Sequence, residues 1–113
     1  MRPEILFKCL SDTHRLIGLL LLTQVEESCI CDLTTAMQIE QAKLHRHLAD
    51  LRKCDLIQSQ RRGKWTYYRL TPELPVWVND IIQRTAIAHQ QQLAEALIRL
   101  RQAQRTVHPC HHW

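Results

Sequence analysis

Apolar residues recur at helical spacing from the start of the chain. Ile5, Leu6, Cys9 and Leu10 share a face, and Ser11-Asp12 supplies a polar pair that ends this short helix and caps the next. A second helix is expected over residues 13–22, with Leu16, Leu19, Leu20 and Thr23 on one side. The unbroken Leu19 to Leu22 run predicts that it is largely buried. Gly18 costs that helix roughly 1 kcal/mol relative to alanine, which predicts a close helix approach at this point. A third, short helix is expected over 32–37, followed by a turn at Gln38-Ile39-Glu40 and a fourth helix over 41–53. Leu44, Leu48 and Leu51 stand at i, i+4 and i+7, so they face inward and leave Gln41, Lys43, His45 and Arg46 outward or sideways. Two short helices joined by a tight turn predict a helix-turn-helix.

The period changes at Leu56. Residues 56–60 and 65–70 are β-rich runs on either side of Arg61-Arg62-Gly63-Lys64, which predicts a hairpin with a basic tip. Directly after a helix-turn-helix, such a hairpin is the wing of a winged helix. Thr71-Pro72 and Pro75 then precede a stripe of Val78, Ile82, Ala86, His89, Leu93, Leu97 and Leu100, which predicts one long helix over 76–104. At 1.5 Å per residue that helix would be roughly 40 Å long, more than a domain of this size covers alone. A second subunit is therefore expected, with His89 packed at the interface and dimerisation through the terminal helices. The expected organisation is one winged-helix and dimerisation domain over 1–105, mostly α with a β-hairpin wing, and a tail over 106–113 that has no period.

Composition narrows this picture only a little. The chain has 113 residues, 45% of them hydrophobic, and only two glycines, which fits a folded, helix-rich domain. A formal net charge of +4 suits a polyanionic partner but decides little by itself. No segment reads as a bilayer span or as a secretory signal, so a cytoplasmic location and no membrane partner are expected. No phosphate loop, nucleophile elbow or convincing carboxylate pair supports an enzyme.

The polar face of the fourth helix suits major-groove recognition. Gln41, Lys43, His45 and Arg46 can hydrogen-bond base edges, whereas Arg61, Arg62 and Lys64 on the wing suit phosphate, which positions without reading sequence. A solvated helix face would look the same in isolation. The basic hairpin that follows at once is what points to double-stranded DNA.

Five cysteines, at 9, 29, 31, 54 and 110, make an odd number in a chain expected to stay reduced, which argues against a disulfide scaffold. Cys29 and Cys31 stand at the entrance to the third helix, where the helix N-terminus favours thiolate. In a non-helical entry both sulfurs can turn to one side, and a soft metalloid is their natural guest. The other reading is that both are small buried core residues. Cys9 lies on an apolar face, Cys54 ends the fourth helix, and Cys110 lies among His108, His111 and His112.

The string as a whole resembles the ArsR family of winged-helix metalloregulators, and within it the arsenic-responsive repressors of the enterobacterial type. The likeness is carried by Leu6-Phe7-Lys8, by Asp12 with Arg15-Leu16, by Cys29-Ile30-Cys31-Asp32-Leu33, by Arg46-His47-Leu48 with Leu51-Arg52, and by Gly63-Lys64-Trp65 with Tyr68-Arg69-Leu70. It implies a dimeric repressor that binds operator DNA and is released when As(III) or Sb(III) binds cysteine thiolates, with Cys29 and Cys31 as ligands. The family's third cysteine, three residues further on, is Thr34 here, so the usual three-sulfur site is incomplete in this segment. Cys54, Cys110 or Cys9, or a small cellular thiol, are the candidate third donors. A thiol redox sensor and a Zn/Cd sensor of the same fold are the alternatives; the long helix lacks the Asp-x-His pairing of zinc-sensing relatives.

Overall fold

A computed structural model describes residues 1–106. In chain order the elements are α1 (Pro3–Cys9), α2 (Thr13–Leu22), β1 (Ser28–Cys29), α3 (Ile30–Met37), α4 (Gln41–Lys53), β2 (Ile57–Arg62), β3 (Trp65–Leu70), α5 (Val76–Ala88) and α6 (Gln90–Arg105). The expected mostly-α architecture with a hairpin wing is present. Cys110 and the tail histidines lie outside the described residues.

Local chemistry explains where each helix of the helix-turn-helix begins and ends. Asp12 caps α2, its carboxylate accepting the Arg15 backbone N–H at 3.0 Å. Leu19 to Leu22 behind that cap are all buried, as their unbroken run predicts. Gln38 ends α3 in the left-handed conformation, φ 54° and ψ 47°, and its N–H is held by the Thr34 carbonyl at 2.9 Å. The end of α4 is a Schellman turn. Leu56 N–H bonds the Leu51 carbonyl at 3.1 Å and Asp55 N–H the Arg52 carbonyl at 3.0 Å, with Asp55 at φ 59° where glycine is commoner. Leu51 and Leu56 are fully buried beside this turn, which launches the wing from the core.

The wing is antiparallel and paired from Ile57 with Leu70 to Arg62 with Trp65, leaving only Gly63 and Lys64 in the turn. Gly63 takes φ 63° there, a conformation in which a side chain is strained. Arg61 and Arg62, expected at the tip, are thus strand residues, because the ladder continues through them. A third strand was not expected: β1 pairs with β3, Ser28 opposite Tyr68 and Cys29 opposite Tyr67, and the sheet order is β1-β3-β2. Two residues are too few to show an alternating pattern, so β1 has no signature in the sequence.

Two further expectations are corrected. The single long helix is two, since the chain breaks at His89 (φ −114°, ψ 21°) and α6 starts afresh at Gln90. The longest dimension of the described fold is 39 Å, shorter than the roughly 40 Å rod that 76–104 would make. The break lets both halves bury their stripes, Val78, Ile82 and Ala86 on α5 and Leu93, Ala96 and Leu100 on α6. His89 itself is exposed, with Nδ1 3.0 Å from the Thr85 carbonyl. Gly18 is buried but not crowded: a Cβ built there would meet the Met37 sulfur at 3.7 Å, which is ordinary van der Waals contact.

Helix α6 packs along α3 and is tied both to its last turn and to the residue before β1. Arg99 Nε donates to the Ala36 carbonyl at 2.8 Å, and Gln104 Nε2 to the Glu27 carbonyl at 2.8 Å. The segment that carries Cys29 and Cys31 is therefore held by α6 on one side and by β3 on the other.

Candidate DNA interface and thiol site

Helix α4 divides its residues as the period predicts. Leu44, Leu48 and Leu51 are fully buried, whereas Gln41, Lys43, His45 and Arg46 are exposed. One groove runs between the start of α4 and the wing, walled by Gln41, Ala42 and His45 on one side and by Lys64, Trp65 and Thr66 on the other. Residues expected to read bases and a residue expected to grip phosphate thus face a common space.

The three wing cations are not equivalent. Arg61 is exposed, with Nε donating to the Gly63 carbonyl at 3.1 Å, and Lys64 is exposed in the turn. Arg62, expected with the other two to contact phosphate, already has partners within the chain. Its Nη1 and Nη2 donate to the two Glu27 carboxylate oxygens at 2.6 Å each, and the guanidinium lies 4.4 Å from the centre of the Tyr67 ring. The paired guanidinium holds the Glu27 carboxyl below the ordinary range, and Glu27 in turn raises Arg62. This engagement depends on a residue 35 positions away, which no local pattern reports. Sequence reasoning also passed over two exposed arginines near the wing. Arg52 donates to the Ser59 hydroxyl at 2.9 Å and Arg69 to the Gln58 amide oxygen at 3.0 Å.

Cys29 is the N-cap of α3 and the last residue of β1, and its side chain is buried. Cys31 is the second residue of α3 and half-buried, which corrects the expectation that both lie in a non-helical entry. The cleft lined by Cys29, Glu27, Ser28, Asp32, Arg62, Tyr67 and Gln104 is not lined by Cys31. Cys29 in extended backbone and Cys31 in the first turn of the helix thus stand on different parts of one entry. Thr34, one turn further on, donates its hydroxyl to the Ile30 carbonyl at 2.7 Å. Two thiols at a helix N-terminus suit a thiophilic guest, and the chain offers a hydroxyl rather than a third sulfur on that turn.

Cys9 and Cys54 do not join this pair. They lie at the end of α1 and the C-cap of α4, and line a pocket with Ile5, Lys8, Arg15, Asp50 and Lys53 that shares no residue with the Cys29 cleft. Burial, with the neighbouring Cys54 adding to it, pushes the Cys9 thiol up to about 12. A further group was not foreseen at all: Asp12, His14 and His47 converge where α2 begins and the middle of α4 passes.

A helix-turn-helix with an outward polar face, a hairpin wing with exposed cations and a grooved junction between them define a winged-helix transcriptional regulator. Comparison with known proteins makes the class specific. The profile described as "Bacterial regulatory protein, arsR family" matches residues 12–59. The chain is 41% identical over 100 residues to the arsenic resistance transcriptional regulator ArsR1 of Pseudomonas putida, covering 88% of this chain and 78% of that protein. It is 43% identical over 97 residues to the arsenical resistance operon repressor of Escherichia coli K12, covering 86% and 82% respectively. HlyU from Vibrio cholerae shares the fold, with a TM-score of 0.64 at 24% identity over 78% of this chain and 88% of the other. The chain belongs to the arsR family of bacterial regulatory proteins, and it is a DNA-binding transcriptional repressor of that family rather than an enzyme. No helix among the described residues is long and apolar enough to cross a membrane.

Proposed function

We propose that the chain binds operator DNA as a homodimer and is released when As(III) or Sb(III) condenses with Cys29 and Cys31. The observation that carries this reading is the position of Cys29. One residue caps α3, which leads through Gln38 into recognition helix α4, and pairs with Tyr67 of β3, which forms half of the wing. Force applied at that sulfur reaches both DNA-contacting elements. The similarity to arsenic resistance regulators supports the choice of guest.

The chemistry needs no oxidant. Arsenous acid, As(OH)3, exchanges two hydroxyls for the Cys29 and Cys31 sulfurs; two As–S bonds form, two As–O bonds break, and two waters leave with the thiol protons. A hydroxide or a small cellular thiol takes the third position, because Thr34 stands where a sulfur would complete the set. Gathering the two sulfurs uncoils the first turn of α3 and pulls on β1. The Arg99 and Gln104 contacts hold α6 against that segment, so the strain passes to the recognition helix and the wing. Linkage requires operator DNA to weaken metalloid binding by the same factor, typically about 1–3 kcal/mol in such couplings.

The dimer rests on a different footing from the long-helix argument, which the break at His89 removes. Phe7 on α1, Val76 and Ile87 on α5 and Ile98 on α6 expose 54%, 79%, 67% and 56% of their surface. Large apolar side chains so exposed on the terminal helices suit burial against a second copy. DNA contacts are assigned to Gln41, Lys43, His45, Arg46, Arg61 and Lys64.

Fluorescence anisotropy on DNA upstream of the coding sequence, titrated with arsenite, antimonite, zinc, cadmium and peroxide, tests the reading. Release by arsenite and antimonite at concentrations where zinc, cadmium and peroxide leave the complex intact is expected. Release by peroxide alone would replace it with a redox sensor, for which Cys9 and Cys54, which line one pocket, are a candidate pair.

A further inference from the structure

The His47 imidazole is nearly enclosed, with 14% of its side chain exposed, and neither ring nitrogen has a hydrogen-bond partner. A buried imidazole nitrogen normally finds a partner, because leaving it bare forfeits solvation without return. The nearest group is the Asp12 carboxylate, with Oδ1 3.6 Å from Nδ1, beyond hydrogen-bonding range. On the other side lies His14, whose ring centroid is 5.5 Å from that of His47 at an interplanar angle of 40°. One ligand atom from each of Asp12, His14 and His47 lies within 4.8 Å of the other two.

The local fold explains this convergence. Asp12 is fixed as the cap of α2, where Oδ1, the oxygen that faces His47, also accepts the Arg15 N–H; a carboxylate oxygen has lone pairs for more than one partner. His14 follows in the first turn of the same helix. His47 sits on the flank of α4 between the buried Leu44 and Leu48 and the outward face. Burial favours the neutral form of the His47 ring, which offers a lone pair, and Asp12 opposes that effect. Arg15 and Lys43 also act on the ring, but the Arg15 guanidinium is engaged with the Cys9 carbonyl at 2.7 Å and with Asp50 at 3.5 Å.

We propose that Asp12, His14 and His47 form a binding site for a divalent cation of the Zn(II) class, separate from the cysteines and tying the start of α2 to the recognition helix. Two imidazoles and one carboxylate are ligands of the type such ions take, at about 2.0–2.2 Å, with a water filling the fourth position. Tetrahedral bonds of that length bring ligand atoms to roughly 3.4 Å from one another, so the three groups must close by about an ångström. Rotation of the half-buried His14 ring is the simplest way to provide that closure. The bound ion engages one of the two His47 ring nitrogens that the polypeptide leaves bare. It also braces α4 against α2, so occupancy bears on how firmly the recognition helix is held.

The test is a Co(II) titration of the full-length protein read by electronic absorption, with Zn(II) competition and ring-nitrogen NMR of the histidines. Tetrahedral d–d bands without sulfur-to-cobalt charge transfer are expected, displaced by Zn(II), with His14 and His47 ring signals shifting together. His14→Gln, checked for folding by circular dichroism, should weaken binding at least tenfold, and Cys29→Ser should leave it unchanged. The proposal is overturned if the bands carry thiolate charge transfer and vanish in Cys29→Ser. It is equally overturned if His14→Gln binds as the parent does, or if only His108, His111 and His112 respond to Zn(II).

Discussion

Glu27 and Arg62 form a two-point ion pair, 2.6 Å at both contacts, which fastens the segment leading into Cys29 to the last residue of wing strand β2. Both side chains are about one-third exposed, so the pair is a geometric clamp more than a source of stability. Its importance is positional, since it joins the thiol segment to the wing.

Because Arg62 is engaged inside the chain, it should contribute less to phosphate binding than its neighbours. In log-log plots of operator affinity against salt, Arg61→Ala and Lys64→Ala should each reduce the slope by about 0.9, the value for one phosphate contact. Arg62→Ala should leave the slope unchanged. A reduction as large as that of Lys64→Ala would mean that the clamp opens on DNA.

The same pair sets a pH dependence. The Glu27 carboxyl is held below its ordinary value of 4.5, so in acid the unfolded chain takes the proton before the folded one does. The stabilisation is therefore complete above 4.5 and disappears as pH falls through the lower folded value. Denaturation midpoints of the parent and Glu27→Gln should differ at neutral pH and converge in acid. A constant gap down to the end of the acid limb would contradict the assignment.

Gly18 has room for a methyl group against Met37, at 3.7 Å from its sulfur. Gly18→Ala should raise stability by roughly 0.5–1 kcal/mol, the helix-interior difference between these residues, read as a higher urea midpoint at constant m value. A lower midpoint would show that α2 and α3 approach more closely than the contact distance states.

Thr34 lies one turn beyond Cys31, its hydroxyl spent on the Ile30 carbonyl. Thr34→Cys should place a third sulfur one turn from Cys31 and raise arsenite affinity at least tenfold in calorimetry. Unchanged affinity would place the third donor elsewhere, in the tail cysteine or in a small thiol.

Much of this protein is legible from local pattern. Leu44, Leu48 and Leu51 fix which face of α4 turns outward, and the shift from helical to β-rich spacing at Leu56 marks the wing. What escapes is decided by contacts between distant residues. Glu27 meets Arg62 across 35 positions, Cys9 meets Cys54 across α1 and α4, and Asp12 and His14 meet His47 only after α2 and α4 pack. The break at His89 has no glycine or proline to announce it, since it follows from α6 packing back on α3 within a 39 Å body. Strand β1 is written only in its pairing with Tyr67 and Tyr68.

Everything functional turns on whether Cys29 and Cys31 both take part when the repressor lets go. Anisotropy of the operator complex during arsenite titration, compared among the parent, Cys29→Ser and Cys31→Ser, measures this directly. The account predicts tight operator binding by all three and loss of the complex with arsenite only in the parent. Arsenite-driven release of either serine variant at the parent's midpoint would contradict it.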